Sequence, residues 1–272
     1  MIRSIRARIA LLGVLWVACP WAHALVFAVN EGVTYRVSND EIRARYALIA
    51  ADLSKLLRQP VSVEPIGDYP TLRKGLEGKA YDIALVHPAH VSIGAIKNSG
   101  YRLVAVAKGF EKYQANFLVR ADSPLKSLAE LEGKRLGAPD EDSITSWMVR
   151  ATLRDARVDL KNVSMTYTRY QDAVPFFVEN SLTHAGATAA ASVIKDWQAK
   201  GGKVLAQSKQ VPIKHVIAAP SLSAEQVASV REYLVALDAS DEGRKKLEPS
   251  KLRGFAVYDE AEMMALGKWL GL

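Results

Sequence analysis

The stretch from Asn116 to Trp147, NFLVRADSPLKSLAELEGKRLGAPDEDSITSW, decides how the chain is read. Phe117 to Val119 is an apolar, β-prone run. Ala121-Asp122-Ser123-Pro124 turns it into a short amphipathic helix, and Gly133-Lys134-Arg135 leads to a second strand, Leu136 to Ala138. The acidic Asp140-Glu141-Asp142 then gives way to Ser143-Ile144-Thr145-Ser146, whose hydroxyls open another helix. Parallel sheets place ligands at such strand–loop–helix junctions, outside the carboxyl ends of the strands.

Outward from this stretch, strands and helices alternate almost throughout, the pattern of an α/β fold with a largely parallel sheet. Asp40 is the expected cap of a helix running to about Arg58, with Ile42, Tyr46, Ile49, Leu53 and Leu56 on one face. Asp68-Tyr69-Pro70 opens a helix with proline in its first turn. Tyr81 to Val86 is an apolar strand, and His87-Pro88 starts the helix after it. Phe176 and Phe177 are expected in the core. Extended segments near Val119 to Asp122 and near Val211 to His215 lack the usual flanking helix and are expected to carry the chain between two lobes. The expected division is residues 25–119 with 215–272 as a discontinuous first lobe, residues 120–214 as an inserted second lobe, and a cleft between them.

The first residues read as a secretory signal. Arg3, Arg6 and Arg8 form a basic start, Ile9 to Ala18 is an apolar run too short for a stable span, and Ala22-His23-Ala24 is a small-x-small site that places the cut after Ala24. An uncleaved, membrane-anchoring start is the alternative. Lipidation at Cys19, the single cysteine, would need a cut between neighbours that suit it poorly, Trp16 and Pro20. The remaining chain has no thiol, hence no disulfide, no cysteine-held metal and no thiol nucleophile. That suits an oxidising compartment such as the periplasm. The formal charge is +7, and losing the signal's three arginines leaves about +4. The cations are scattered, which argues against nucleic-acid binding. No Gly-x-Ser-x-Gly elbow or phosphate-cradling Gly-Lys-Ser/Thr loop is present.

Four segments taken in order carry a resemblance: Asp68-Tyr69-Pro70, Tyr81-Asp82-Ile83-Ala84, Ala121-Asp122-Ser123-Pro124 with SLAELEGKRLGAP from Ser127 to Pro139, and Ser143-Ile144-Thr145-Ser146. Together they resemble the type 2 periplasmic solute-binding proteins of the phosphate, phosphite and phosphonate uptake group, over essentially the whole chain after the signal. The resemblance implies a two-lobed α/β fold, each lobe a largely parallel sheet flanked by helices, with the ligand cleft between them. It implies a monomer that captures a small anionic solute and delivers it to a membrane ABC permease, with no reaction, cofactor or metal. A soluble sensory partner of a membrane kinase-type receptor is the alternative, and neighbouring genes would discriminate the two.

The resemblance also names residues. Tyr69 contributes to the cleft, and Ser143 and Thr145 grip the oxyanion, with Ser146 where the family usually has glycine. Gln171 stands where phosphonate binders often carry histidine, and His184 where they usually carry aspartate. Lys214 or His215 replaces another acid, one that can meet a ligand ammonium. These replacements favour an anion without an amine, or a ligand of a different class. Elementary chemistry supports the hydroxyl cluster independently, because the unpaired N–H groups of a helix start bind phosphate-like groups. Simple helix capping is the competing reading. His87 lies at the carboxyl end of a strand and is expected as a cleft donor, with His90 a turn further on. The four histidines beyond the signal fall at strand or loop ends, but their spacing matches no zinc motif.

Overall fold

The computed structural model describes residues 24–32 and 38–272. The expected signal, Cys19 included, lies outside them except for Ala24. In chain order the elements are β1 (Leu25–Val29), α1 (Asn39–Leu57), β2 (Val61–Pro65), α2 (Tyr69–Glu77), β3 (Ile83–Val86), α3 (Ala89–Ser99), β4 (Arg102–Ala107) and β5 (Asn116–Val119). They continue with β6 (Arg135–Pro139), α4 (Ile144–Asp155), β7 (Ser164–Thr168), α5 (Val174–Glu179), β8 (Ala185–Thr188), α6 (Ala191–Ala199) and β9 (Lys203–Gln207). The last are β10 (His215–Ala218), α7 (Ala224–Ala236), α8 (Asp241–Leu247), β11 (Phe255–Ala256) and α9 (Glu260–Leu270).

The strands form two sheets flanked by helices, a two-lobed α/β architecture. One sheet has six strands in the order β11-β4-β10-β3-β1-β2, and the other has five in the order β7-β6-β8-β5-β9. The parallel ladders occupy one side of each: β2-β1-β3 in the first and β7-β6-β8 in the second. The strand that enters from the other lobe turns the rest antiparallel. In the first sheet it is β10, beside β3 and β4; in the second it is β5, beside β8 and β9.

This topology corrects two expectations. Asn116 to Val119 pairs in the second sheet, with Phe117 opposite Ala187 and Ala206, and does not close the first lobe. All four residues of β5 are buried, so the strand needs cover on both faces, which the second sheet provides. Arg120 to Asp122 is then no crossing. It is a turn at the carboxyl end of β5, closed by Ser123 N–H donating to Arg120 O (3.1 Å). The chain crosses earlier, between Phe110 and Ala115, beside the return crossing from Ser208 to Ile213. The two form a short antiparallel ladder: Tyr113 and Val211 exchange both backbone bonds (3.2 and 2.9 Å), Ser208 N–H reaches Ala115 O (2.9 Å), and Ile213 N–H reaches Phe110 O (3.1 Å).

Local chemistry explains the helix ends. Ser38, not Asp40, caps α1 by accepting from Glu41 N–H, which leaves Asp40 in the first turn where the helix dipole favours an acid. Asp68 caps α2 by accepting from Thr71 N–H (2.7 Å). The short helix expected after Pro124 is a single 3₁₀ turn, Leu128–Leu131. Its two buried leucines sit three apart, the spacing that a 3₁₀ turn brings onto one face. Phe176 is 58% exposed on the six-residue α5 and takes no part in the core expected of it.

One apolar core runs through both lobes. Ala28, Val86 and Val106 of the first sheet join Phe117, Leu136 and Ala187 of the second through Ile93, Ile144, Met148, Val149 and Met263. Helix α4 lies along the seam, with its amino-terminal turn toward α2 and α3. Its last turn meets α9, where Arg154 donates to the carbonyls of Trp269 and Leu270 (2.8 and 2.9 Å) and Asp155 accepts from Trp269 Nε1 (2.8 Å). A shared core couples the unfolding of its parts. Phe117→Ala should therefore cost about 3–5 kcal/mol and lower a single cooperative denaturation midpoint. Two separated transitions in the wild-type chain would contradict the shared core.

Candidate functional site: the polar seam between the lobes

The carboxyl ends of β6 and β8 and the amino terminus of α4 face the crossing strands. Ser143 caps α4, its Oγ accepting from Ser146 N–H (3.2 Å), while Ser146 Oγ donates to Pro139 O (2.9 Å). Ser143 Oγ is thus engaged in capping and Ser146 Oγ in a bond to the end of β6. Thr145 instead points its Oγ1 at the hydroxyl of Tyr113 on the crossing (2.8 Å), and Gln171 Nε2 donates to that same hydroxyl (2.8 Å). Gln171 Oε1 accepts from Thr188 Oγ1 (3.1 Å) and Ala189 N–H (2.6 Å). A hydroxyl–amide chain therefore joins α4, the crossing and the end of β8. Thr145 and Thr188 are fully buried within it.

The first lobe contributes a charged counterpart. Glu31, just beyond β1, accepts from Arg45 (2.6 Å) and Tyr46 Oη (2.8 Å), so its charge is already answered. Gly32 has φ +100, and a Cβ there would lie 2.5 Å from His87 Cδ2, so only glycine lets the chain pass against that ring. His87 bonds through Nδ1 to Ile213 O (3.1 Å), which makes Nδ1 the protonated nitrogen. Burial and the nearby Lys214 push its pKa down to about 3. His215 is fully buried between Ser92 Oγ (2.5 Å) and Pro212 O (2.9 Å), and burial lowers its pKa to about 4 against the opposing backbone bond. Lys214 is 8% exposed, with Nζ 4.2 Å from the centre of the Phe110 ring. Burial lowers its pKa, partly offset by Glu31. No carboxylate lies within ion-pair distance of it among the described residues.

A third group clamps the lobes together. Arg73 of α2 holds Asp142, at the start of α4, with one Nη2 between both carboxylate oxygens (2.5 and 2.6 Å). His90 of α3 stacks on Trp147 of α4 (5.0 Å, 21°), meets Tyr69 edge-on, and brings Nε2 within 3.3 Å of Asp142. Burial raises the Asp142 carboxyl, but the bonds from His90 and Arg73 outweigh it and hold the group well below the usual carboxylate range. Burial likewise outweighs Asp142 at His90 and keeps the imidazole neutral-leaning. Its buried Nδ1 has no hydrogen-bond partner and lies beside a cavity of about 220 Å³ that Arg73 and Trp147 also line.

Of the residues expected from sequence, Tyr69, His87, Ser143, Thr145, Ser146, Gln171 and Lys214 all lie along this seam. His184 does not. It precedes β8, at the amino end of the strand, where its Nδ1 accepts from Arg135 N–H (3.1 Å). The carboxyl end of β8 is held by Thr188, Ala189 and Ala190, none of them acidic. Among the described residues, no group of three or more His, Cys, Asp or Glu could hold a metal ion.

The model of the periplasmic substrate-binding proteins of phosphonate ABC transporters matches residues 32–263. The chain belongs to that family. The comparison with curated proteins finds no match. Among solved structures, XAC2383 from Xanthomonas citri, bound to ATP, is 13% identical with a TM-score of 0.75, covering 91% of this chain and 97% of its own. PhnD1 from Prochlorococcus marinus, in complex with methylphosphonate, is 16% identical with a TM-score of 0.65, covering 90% and 96%. The aliphatic sulphonate binding protein SsuA from Escherichia coli is 17% identical with a TM-score of 0.59, covering 90% and 89%. These likenesses establish the type 2 binding-protein fold.

Within this phosphonate-binding family member, sequence reading missed Tyr113, Arg73 and the role of Asp142. Tyr113 precedes a strand whose sheet the sequence does not identify, and Asp142 is one of three neighbouring acids whose partner Arg73 is 69 residues away.

Two outcomes follow from the charges. Asp142→Asn removes a half-exposed pair worth on the order of 1 kcal/mol, about a fivefold shift toward open lobes. Small-angle scattering should report a larger radius of gyration for that variant without ligand. For pH, the folded pKa values of His87 (about 3) and His215 (about 4) lie below the unfolded value near 6.5, so the unfolded chain binds protons more readily. Stability is complete above about pH 6.5 and falls as pH drops toward 4, with His215 contributing about 3 kcal/mol across the interval. Asp142 stays ionised throughout, so the clamp does not cause that decline. A melting temperature level from about pH 7 to about pH 4 would contradict the assignment.

Proposed function

We propose that the chain is an exported binding protein whose two lobes close on a small oxyanion of the phosphate, phosphite or phosphonate class and present it to an ABC permease. The observation that carries this reading is Lys214, a buried ammonium resting on Phe110 with no carboxylate partner among the described residues. A buried unpaired charge is costly, and an anion arriving in the seam would neutralise it. Glu31 favours the charged form through space, but its oxygens are taken by Arg45 and Tyr46 and it makes no ion pair with Lys214. The bonded hydroxyls of Thr145 and Tyr113 lie beside the α4 start, and the N–H groups of a helix start favour an anion. Asp142 is engaged by Arg73, and the end of β8 carries no acid, so nothing here favours a ligand ammonium. Methylphosphonate and ATP, held by two proteins of this fold, are both phosphorus oxyanions.

The lobes would move about the paired crossings, where few residues absorb the rotation. Export to the periplasm accords with the family and with the first strand opening at Leu25, directly after the expected cleavage site.

Thermal-shift titration with phosphate, phosphite, methylphosphonate and methanesulfonate tests the reading. A ligand at about 100 times its Kd adds about 2.7 kcal/mol to the folded state. At least one of these anions should raise the melting temperature, and no rise with any of them defeats the oxyanion assignment. Lys214→Gln should weaken the successful anion about tenfold or more while leaving the unliganded protein no less stable, because the burial penalty goes with the charge. Unchanged affinity would move the site away from Lys214.

A further inference from the structure

The far end of the five-stranded sheet, away from the crossings, gathers a second set of donors. Arg120 leaves the carboxyl end of β5, Lys134 and Arg135 lead into β6, and Ser181, Thr183 and His184 form the turn into β8. Because β5 runs antiparallel to β8 while β6 runs parallel to it, these three positions meet at one sheet end. They line a cavity of about 310 Å³. The nearby acids are engaged: Asp122 pairs with Arg120 (3.0 Å), Glu132 accepts from Asn162, and Glu179 pairs with Lys200. Neither Lys134 nor Arg135 has a carboxylate at ion-pair distance among the described residues. Thr183 is 2% exposed, lines the cavity, and its buried Oγ1 has no hydrogen-bond partner. A buried hydroxyl left unpaired costs about 1–3 kcal/mol, so a site that completes it is favoured.

His184 supplies the remaining donor. Its Nδ1 accepts the Arg135 N–H, so the proton sits on Nε2. Three cations, one of them (Arg120) paired with Asp122, thus line the cavity with hydroxyls and an imidazole, and no carboxylate is part of the lining.

We propose that this pocket is a second anion site, separate from the interlobe seam, that takes a free phosphate-type dianion between Lys134, Arg135, His184 and Thr183. Donor-rich, acid-poor lining suits a tetrahedral oxyanion with several charge-assisted bonds and offers little to a neutral solute. Burial first, and then the charges of Arg135 and Lys134, lower the His184 imidazole pKa. The site does not depend on what the seam binds.

The test is an NMR titration of the full chain with inorganic phosphate, following the His184 imidazole signal, assigned with His184→Gln, against sodium chloride at matched ionic strength. The expected result is a saturable His184 shift with phosphate alone. It should weaken about tenfold or more in the exposed double variant Lys134→Gln/Arg135→Gln, weaken also in Thr183→Val, and persist in Lys214→Gln. Unaltered melting temperatures in the double variant would separate loss of the site from loss of fold. The proposal is overturned if the shift does not saturate, if chloride reproduces it, if the double variant binds as the wild type does, or if Lys214→Gln abolishes it. Failure of the seam to bind any oxyanion would leave the His184 response unaffected.

Discussion

The bridge between Tyr113 and Val211 is the constraint on which the rest of the molecule depends. Two crossing segments that could wander independently are tied into one ladder, so the lobes share a single jointed strap. The groups facing the seam hang from that strap. Phe110 and Lys214 lie at one end and Tyr113 near its middle, and His87 is fastened to it through Ile213. Their relative positions are therefore set by backbone hydrogen bonds of the strap itself rather than by either lobe's sheet. A site built on such a strap keeps its chemistry while its walls move.

Helix α4 does a different job. Its amino terminus contributes Thr145 to the hydroxyl chain and Asp142 to the clamp on Arg73, and its carboxyl terminus is fastened to α9 by Arg154 and Asp155. One rigid rod thus touches the first lobe at both ends. Rotation of the second lobe must break one set of contacts while pivoting near the other. The clamp is half-exposed and weak, whereas at the other end Leu153 of α4 and Leu270 of α9 are fully buried in the shared core. The amino-terminal end of α4 is therefore the more weakly held of the two.

Much of this was readable in the residues. Ser143 announces a helix start because a hydroxyl before an apolar periodic run satisfies unpaired N–H groups, and it does cap α4. The alternation of strands and helices carries the α/β class. What could not be read is direction. A sequence pattern marks His184 as a strand end, but which end faces the other lobe depends on how β8 runs in its sheet. The same ambiguity misplaced β5, whose four buried residues would fit either sheet until their partners are known. Capping is local, so Ser143 was legible. Pairing across 69 residues is not, so nothing in the sequence marks Asp142 as half of a clamp.

The stacking of His90 on Trp147 has one more consequence. The described residues hold three tryptophans: Trp197 is buried inside the second lobe, Trp269 sits on the α4–α9 contact, and Trp147 alone lies in the clamp against an imidazole. Opening the lobes would carry that indole from an aromatic sandwich with a guanidinium over it into water. The change in emission of that one indole, against the steady background of the other two, then becomes a gauge of lobe position, readable in solution without any attached label.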